Sequence, residues 1–227
     1  MQPSYSPPNT SYQNPTDPPG LPAVEPDQPR VSRSDGREGF KNIASTILIL
    51  LAAPLIALAL TAFVFQSYEV EGQSMETTLQ NQDRLIVLKA ERTWALLTGK
   101  TYIPERGDII VFSKDGSVEF GENREKQLIK RVIGLPGERV VVHGGIMTVY
   151  NAQNPGGFVP DETLPYGNVI TTTSGNVDLT VPPGEVFVVG DNRGNSLDSR
   201  AFGTVESEDI VGTLYLRILP VSGARRF

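Results

Sequence analysis

Gln127-Leu128-Ile129-Lys130-Arg131-Val132-Ile133-Gly134-Leu135-Pro136-Gly137 is an apolar run that encloses two cations and stops at glycine and proline. Within it Leu128–Ile133, rich in Val and Ile and followed by turn residues, fits a strand. Alternate residues of a strand share a face, so Lys130 lies with Leu128 and Val132 while Arg131 points the other way. Runs of similar make-up are Leu85–Lys89, Asp108–Phe112, Arg139–Val142, Ile146–Tyr150, Val186–Val189 and Ile210–Ile218. No long amphipathic helix pattern follows residue 66. Many short strands with turn signals predict a mainly β fold, a barrel or sandwich rather than a βαβ arrangement. Between Gly144 and Gly184 the chain is rich in Gly, Asn, Pro and Thr, which predicts a small β subdomain or long excursion inserted into the main one.

Ahead of the strands stands Ile43–Phe65, 23 residues without a charge. A helix of that length spans the hydrocarbon core of a bilayer, and membrane helices tolerate a proline such as Pro54. Arg30, Arg33, Arg37 and Lys41 precede the run and only Arg84 follows within twenty residues. The positive-inside rule then keeps the N-terminus in the cytoplasm and places the rest outside it. Nine of the chain's 18 prolines fall in its first 29 residues, so residues 1 to about 38 read as a disordered, solvated tail. The expected organisation is a tail over 1–41, a transmembrane helix over 42–66 and a β domain over 67–227, with the insert at about 144–184. Thr93-Trp94-Ala95-Leu96-Leu97 carries the single tryptophan and reads equally as core or as a loop at the membrane interface.

Composition removes several function classes. The chain of 227 residues has no cysteine, hence no disulfide, thiolate zinc site or cysteine nucleophile. A net charge of −6 argues against nucleic-acid binding. The single histidine, His143, excludes a histidine-rich metal site, and at a strand end it reads as a surface residue rather than a base. Asp191 to Asp198 has too few acids at the spacing of a calcium loop.

Three stretches remain that could carry chemistry. In Val70-Glu71-Gly72-Gln73-Ser74-Met75-Glu76-Thr77-Thr78-Leu79 a serine follows a glycine turn just past the apolar run. Taken alone, the plainer reading is a turn whose hydroxyl caps a short helix over Glu76–Gln80. Lys130, among apolar neighbours, loses hydration, which lowers its pKa and lets it accept a proton from a serine. A strand-edge lysine reaching water along its own stem fits the same residues. The loop Gly190-Asp191-Asn192-Arg193-Gly194-Asn195-Ser196-Leu197-Asp198-Ser199-Arg200-Ala201-Phe202-Gly203 packs many hydrogen-bonding side chains between two apolar runs. Side-chain to backbone bonds can hold such a loop rigid.

Together and in this order, the stretches resemble the type I signal peptidases, or leader peptidases, which are membrane-bound Ser–Lys proteases. The resemblance takes in the apolar anchor, Gly72 to Leu79, Gly107-Asp108-Ile109-Ile110-Val111-Phe112, Lys130 to Glu138 and Gly190 to Arg200, most of residues 43–220. It implies an antiparallel β catalytic core, Ser74 as nucleophile, Lys130 as general base, Ser196 as the serine that orients the base, and Asp198 with Arg200 as the pair holding the loop. It also implies that the Ser74 N–H serves as an oxyanion donor, and that Val70, Met75, Leu79, Leu128 and Ile129 line shallow pockets for small side chains. The implied substrates are secretory preproteins with small residues before the cut, with no cofactor or metal. Membrane lipid is an implied partner, the export translocon a candidate one, and the plasma membrane the implied location. Two departures stand out: Thr77 where many members have proline, and Gly72 where some place a serine hydroxyl in the oxyanion hole. A self-cleaving Ser–Lys repressor is a competing reading, but nothing here resembles its DNA-binding domain. The other alternative is an inactive membrane-anchored β domain that binds an exported partner.

Overall fold

The computed structural model of the protein describes residues 36–114, 126–170 and 172–227. The expected disordered tail falls largely outside them. Two compact units divide the chain, residues 1–48 and 49–227. The described part of the first is the opening of helix α1, Gly36–Phe63, so residues 36–41 are helical rather than tail. Within α1, Ser45–Phe63 is long and apolar enough to cross a membrane. The side chains there, such as Leu50 and Leu58, are exposed because no protein covers them. The helix stops at Phe63; Phe65 and Gln66 open a strand instead.

In the second unit the chain runs through β1 (Phe65–Glu69), β2 (Arg84–Leu88), helix α2 (Ala90–Leu97), β3 (Ile109–Lys114), β4 (Lys126–Gly134), β5 (Arg139–His143) and β6 (Ile146–Tyr150). It continues through α3 (Pro160–Thr163), β7 (Val177–Thr180), β8 (Glu185–Val189), α4 (Ser199–Phe202), β9 (Val205–Glu206), β10 (Ile210–Leu219) and β11 (Arg225–Arg226). The larger sheet has the order β1-β2-β10-β3-β4-β8-β9, with β11 on β10; the smaller is β6-β5-β7. Every strand pair is antiparallel.

The run quoted first connects the two sheets. It forms β4, then turns at Leu135–Glu138, where the Glu138 N–H reaches Leu135 O. Proline in second place and Gly137 at φ +83° in third are what a type II turn demands. Beyond that turn the alternating valines of β5 face Ile133, Phe187 and Val189, which with Val140, Val142, Met147 and Val149 form one core cluster. Ile110, Phe112, Val132, Val186 and Val188 form a second. A third, of Val70, Met75, Leu79, Leu85, Ile109 and Leu214, underlies the loop that carries Ser74.

Candidate active site

Residues 70–83 join β1 to β2. The loop is closed at its base, where Val70 N–H bonds Asp83 O and Gln82 N–H bonds Val70 O. Burial of Val70, Met75 and Leu79 presses it onto the sheet. The expected helix over Glu76–Gln80 is instead a series of turns, with the N–H groups of Thr78 and Leu79 both on Met75 O. Ser74 stands between the buried Met75 and the exposed Gln73 and is itself partly exposed.

Lys130 comes from the middle of β4, paired with Ile110 of β3. Its residue is 3% exposed, and Leu128 and Val132 on the same side belong with the second core cluster. Lys130 Nζ lies 2.7 Å from Ser74 Oγ and donates to Ile129 O at 2.9 Å. Burial pushes its pKa down from 10.5 to about 8, although the charges of Asp198 and Asp191 pull the other way. A substantial fraction of such a lysine is neutral in mildly alkaline water, as a proton acceptor must be.

The third stretch arrives beside Lys130 through strand register. Arg131 pairs with Val189 and Val132 with Val188, so the next residue along, Gly190, comes level with Lys130. There the loop grips the Ser74 turn: Asn192 N–H donates to Ser74 O at 3.0 Å, and Asn192 Nδ2 donates to Gln73 O at 3.0 Å. Asp198 is fully buried; its carboxylate accepts from Gly190 N–H, Arg200 N–H and both Nε and Nη2 of Arg200. Burial alone would raise the Asp198 pKa, but the bonds from Arg200 outweigh it and hold the group below its ordinary value. Ser196 Oγ is buried without a hydrogen bond of ordinary geometry and makes none to Lys130, although it lies near enough to Asp198 to help hold that pKa down. Among the described residues the Ser74 N–H has no acceptor, whereas the Gly72 N–H is taken by Asn81 Oδ1 at 2.9 Å.

Of the five residues expected to line pockets, Val70, Leu128 and Ile129 border a cleft of about 880 Å³ that also includes Ser74 and Lys130. Met75 and Leu79 lie in the core and do not border it. Tyr68, Asn195 and Leu197 are among the other residues that line it. A separate cavity of about 760 Å³, bordered by Thr78, Arg131, Tyr166 and Phe227, includes neither Ser74 nor Lys130.

Sequence reasoning missed a second buried network at the site. Arg131 grips Asp191 in bidentate fashion at 2.8 and 2.6 Å, and Thr78 Oγ1 donates to the same carboxylate at 2.5 Å. On its other side the Thr78 carbonyl accepts from Arg217 and Arg225, and Arg217 pairs with the buried Asp83. One signal was available: an arginine inside an apolar strand must find an anion, and Asp191 opens the loop that follows β8.

These observations describe a mainly antiparallel β protein with an apolar N-terminal helix and a serine–lysine contact, the class of membrane-associated serine proteases. A family model described as "Signal peptidase, peptidase S26" matches residues 43–219, and the chain belongs to that family. It is 35% identical to a probable signal peptidase I-1 of Synechocystis sp. over 79% of this chain and 84% of that one. It is 36% identical to a signal peptidase I of Bacillus caldolyticus over 74% of this chain and 87% of the relative. A solved signal peptidase I of Enterococcus faecalis is 30% identical, with a TM-score of 0.37, covering 51% of this chain and 99% of its own.

Proposed function

We propose that the protein is a membrane-anchored serine endopeptidase that removes N-terminal signal peptides from exported preproteins, with Ser74 as nucleophile and Lys130 as general base. The observation that carries this reading is the 2.7 Å contact between Lys130 Nζ and Ser74 Oγ, made by a lysine whose pKa is pushed down to about 8. Ser74 Oγ attacks the scissile carbonyl carbon while its proton passes to neutral Nζ. The oxygen of the tetrahedral intermediate faces the unpartnered Ser74 N–H, a donor fixed in advance by the loop. Protonated Nζ then gives its proton to the leaving amine, and the C–N bond breaks. The mature N-terminus departs and the signal peptide stays as an ester on Ser74. Lys130, neutral again, takes a proton from water; the hydroxide attacks the ester, and Ser74 leaves with that proton restored to it. No step calls for a metal or organic cofactor.

Ser196 is assigned to orienting Nζ once Ser74 has lost its proton, since its buried hydroxyl has no other partner of ordinary geometry. Asp198 and Arg200 hold the loop that brings it there. The apolar walls offered by Val70, Leu128 and Ile129 suit small residues before the cut, with Met75 and Leu79 beneath them. The charge asymmetry around the apolar helix favours a cytoplasmic N-terminal tail and an extracytoplasmic domain over 67–227, with its insert at about 144–184, at the plasma membrane. Membrane lipid is then a partner, and the export translocon the neighbour that presents the substrate.

The test is cleavage of a preprotein by the full chain in detergent. Cutting by the wild type that Ser74→Ala stops is the expected result. A wild type that binds preproteins without cutting them would return the inactive binding domain as the better account.

A further inference from the structure

We infer that Arg217 is a positioning residue for Ser74, aimed by the strap of residues 220–227; this rests on the serine–lysine reading above. The strap lies beyond the stretch 43–219 that the family model matches. The turn that carries Ser74 is held on one side by the Gly190 loop, through Ser74 O and through the Thr78 hydroxyl. Its other side meets β10. Arg217 pairs there with Leu85, and β10 bulges against β2 between Arg217 and Leu219. A bulge re-aims side chains. The Arg217 side chain is 13% exposed and lies on that of Asp83, which is 1% exposed. Its guanidinium touches three segments at once. Nη1 donates to Asp83 Oδ2 at 2.9 Å and to Thr78 O at 3.3 Å, and Nε donates to Gly223 O at 2.7 Å. The same Asp83 oxygen accepts from Gln80 N–H at 2.8 Å. Arg217 thus ties the limb that follows Ser74 to the base of its loop. Because the N–H groups of Thr78 and Leu79 both bond Met75 O, a shift at Thr78 passes one turn back to Met75 and its neighbour Ser74.

The strap fixes the guanidinium from behind. Gly223 closes a turn on Pro220 O and offers its own carbonyl to Nε. A β-carbon on Gly223 would stand 2.9 Å from Arg217 Nη2 and 3.2 Å from Cζ, so the fork packs against a residue with no side chain. Past the turn, Arg225 pairs with Arg217 across the strands, and its Nη2 donates to Thr78 O at 3.3 Å. Like charges opposite one another repel. Burial, and then the charge of Arg217, push the Arg225 pKa below its ordinary value. The two cations converge on one carbonyl in spite of that repulsion. Neutralising Asp83 alone would need only a cation. Serving a carboxylate, a carbonyl and the strap together needs the planar fork of arginine, which a lysine ammonium does not provide.

Arg217→Lys and Gly223→Ala test this in the full chain, in detergent, on a soluble peptide with alanine before the cut. The lysine keeps a cation beside Asp83, so its urea midpoint should stay close to that of the wild type. Its kcat should fall at least about tenfold while KM changes little. The walls that hold the substrate, Val70, Leu128 and Ile129, are untouched, whereas the geometry of attack is not. Gly223→Ala displaces the guanidinium from the strap side without altering any residue of the 70–83 loop. It should lower kcat in the same way by a smaller factor. In both variants the alkaline rise of kcat/KM should keep its midpoint, since Lys130 stays buried. Wild-type kcat in either variant, or a loss of kcat matched by an equal loss of folded protein, would make the contact structural and overturn the inference. A moved midpoint would also overturn it, because Arg217 would then act through the lysine. A wild type that does not cut the peptide would remove the protease reading, and this inference with it.

Discussion

A β-carbon on Gly190 would stand 2.3 Å from the carbonyl oxygen of Ser74, closer than any real contact of that kind. The same carbon would meet Ser196 Oγ at 2.3 Å and Ser196 Cβ at 2.6 Å. The absent side chain is thus what lets the Gly190 loop lie against the Ser74 turn. Gly190→Ala should move the turn and with it Ser74 Oγ. A displacement near 1 Å costs about 100-fold in rate, and the overpacking about 1–3 kcal/mol in stability. Steady-state kinetics beside thermal unfolding check both; wild-type kcat/KM in this variant would mean that the close approach is not needed.

Ser74→Ala and Lys130→Ala should each abolish cleavage with little change in the circular dichroism of the sheets. The proposed mechanism makes the two groups one unit, so the double variant should be no slower than either single one. A clear residual rate in one single variant and not in the other would separate their roles and contradict the shared mechanism.

With the Lys130 pKa held at about 8 by burial, kcat/KM of the free enzyme should rise with pH through an ionisation near that value. In the proposed mechanism the proton acceptor is the neutral amine, so the rise is in the alkaline direction. Lys130→Arg should be inactive across the range, since guanidinium keeps its proton. His143, exposed at the end of β5 in the smaller sheet, should leave the profile unchanged when replaced by Ala. A profile that loses its ionisation in His143→Ala would transfer the base to the histidine.

The same shift has a cost in stability, and its sign is fixed. A lysine lowered from 10.5 to about 8 binds fewer protons folded than unfolded between those two values, so stability contributed by this group rises with pH across that window. Below about pH 8 both states carry the charge, and the folded state bears the full burden of burying it, about 3 kcal/mol. Lys130→Met should therefore stabilise the inactive protein at neutral pH by up to that amount. The gain should fade as pH climbs from 8 towards 10.5. Urea unfolding of both proteins at several pH values measures it; a gain independent of pH would mean that packing, not charge, is its source.

Two buried ion pairs flank the lysine, and they should fail differently. Asp198→Ala leaves the Arg200 guanidinium and the Gly190 N–H without their acceptor, and Asp191→Ala does the same to Arg131 and to the Thr78 hydroxyl. Removing one partner of a buried pair costs about 3–5 kcal/mol. Asp191→Ala should also raise the mobility of the 70–83 loop, read as faster amide exchange at Thr78 and Leu79, which Asp198→Ala should affect less. Equal exchange in the two variants would deny Asp191 its hold on that loop.

The β strands of the core were legible because their side chains alternate or run apolar between turn residues. Ile146–Tyr150 matches the expected span, β10 runs one residue past Ile210–Ile218, and β4 extends Leu128–Ile133 by two residues before it and one after. Phe65–Glu69 was not, because Phe65 ends the uncharged run assigned to the membrane helix, whose expected bounds reach residue 66; only the alternating exposure along Phe-Gln-Ser-Tyr-Glu marks a strand. The two residues of β9 and the two of β11 are too short to show a period. Thr93–Leu97 is too short a run to show a helical period, so it reads as a loop; it is the C-terminal part of the eight-residue helix α2. At the site, the nearness of Lys130 to Ser74 spans 56 positions and follows from strand register, which no local pattern reveals. The Arg131–Asp191–Thr78 network was missed for the same reason.

The sheet order also bears on when the enzyme first becomes dangerous. β2 has two neighbours, β1 and β10, so the hairpin that carries Ser74 joins the rest of the sheet only through the last long strand, Ile210–Leu219. Before that strand has emerged, Ser74 and Lys130 belong to separate pieces of chain. A polypeptide in which Ile210–Leu219 has not yet paired with β2 and β3 therefore holds Ser74 and Lys130 on separate parts of the sheet, and the two are brought together only when that strand joins.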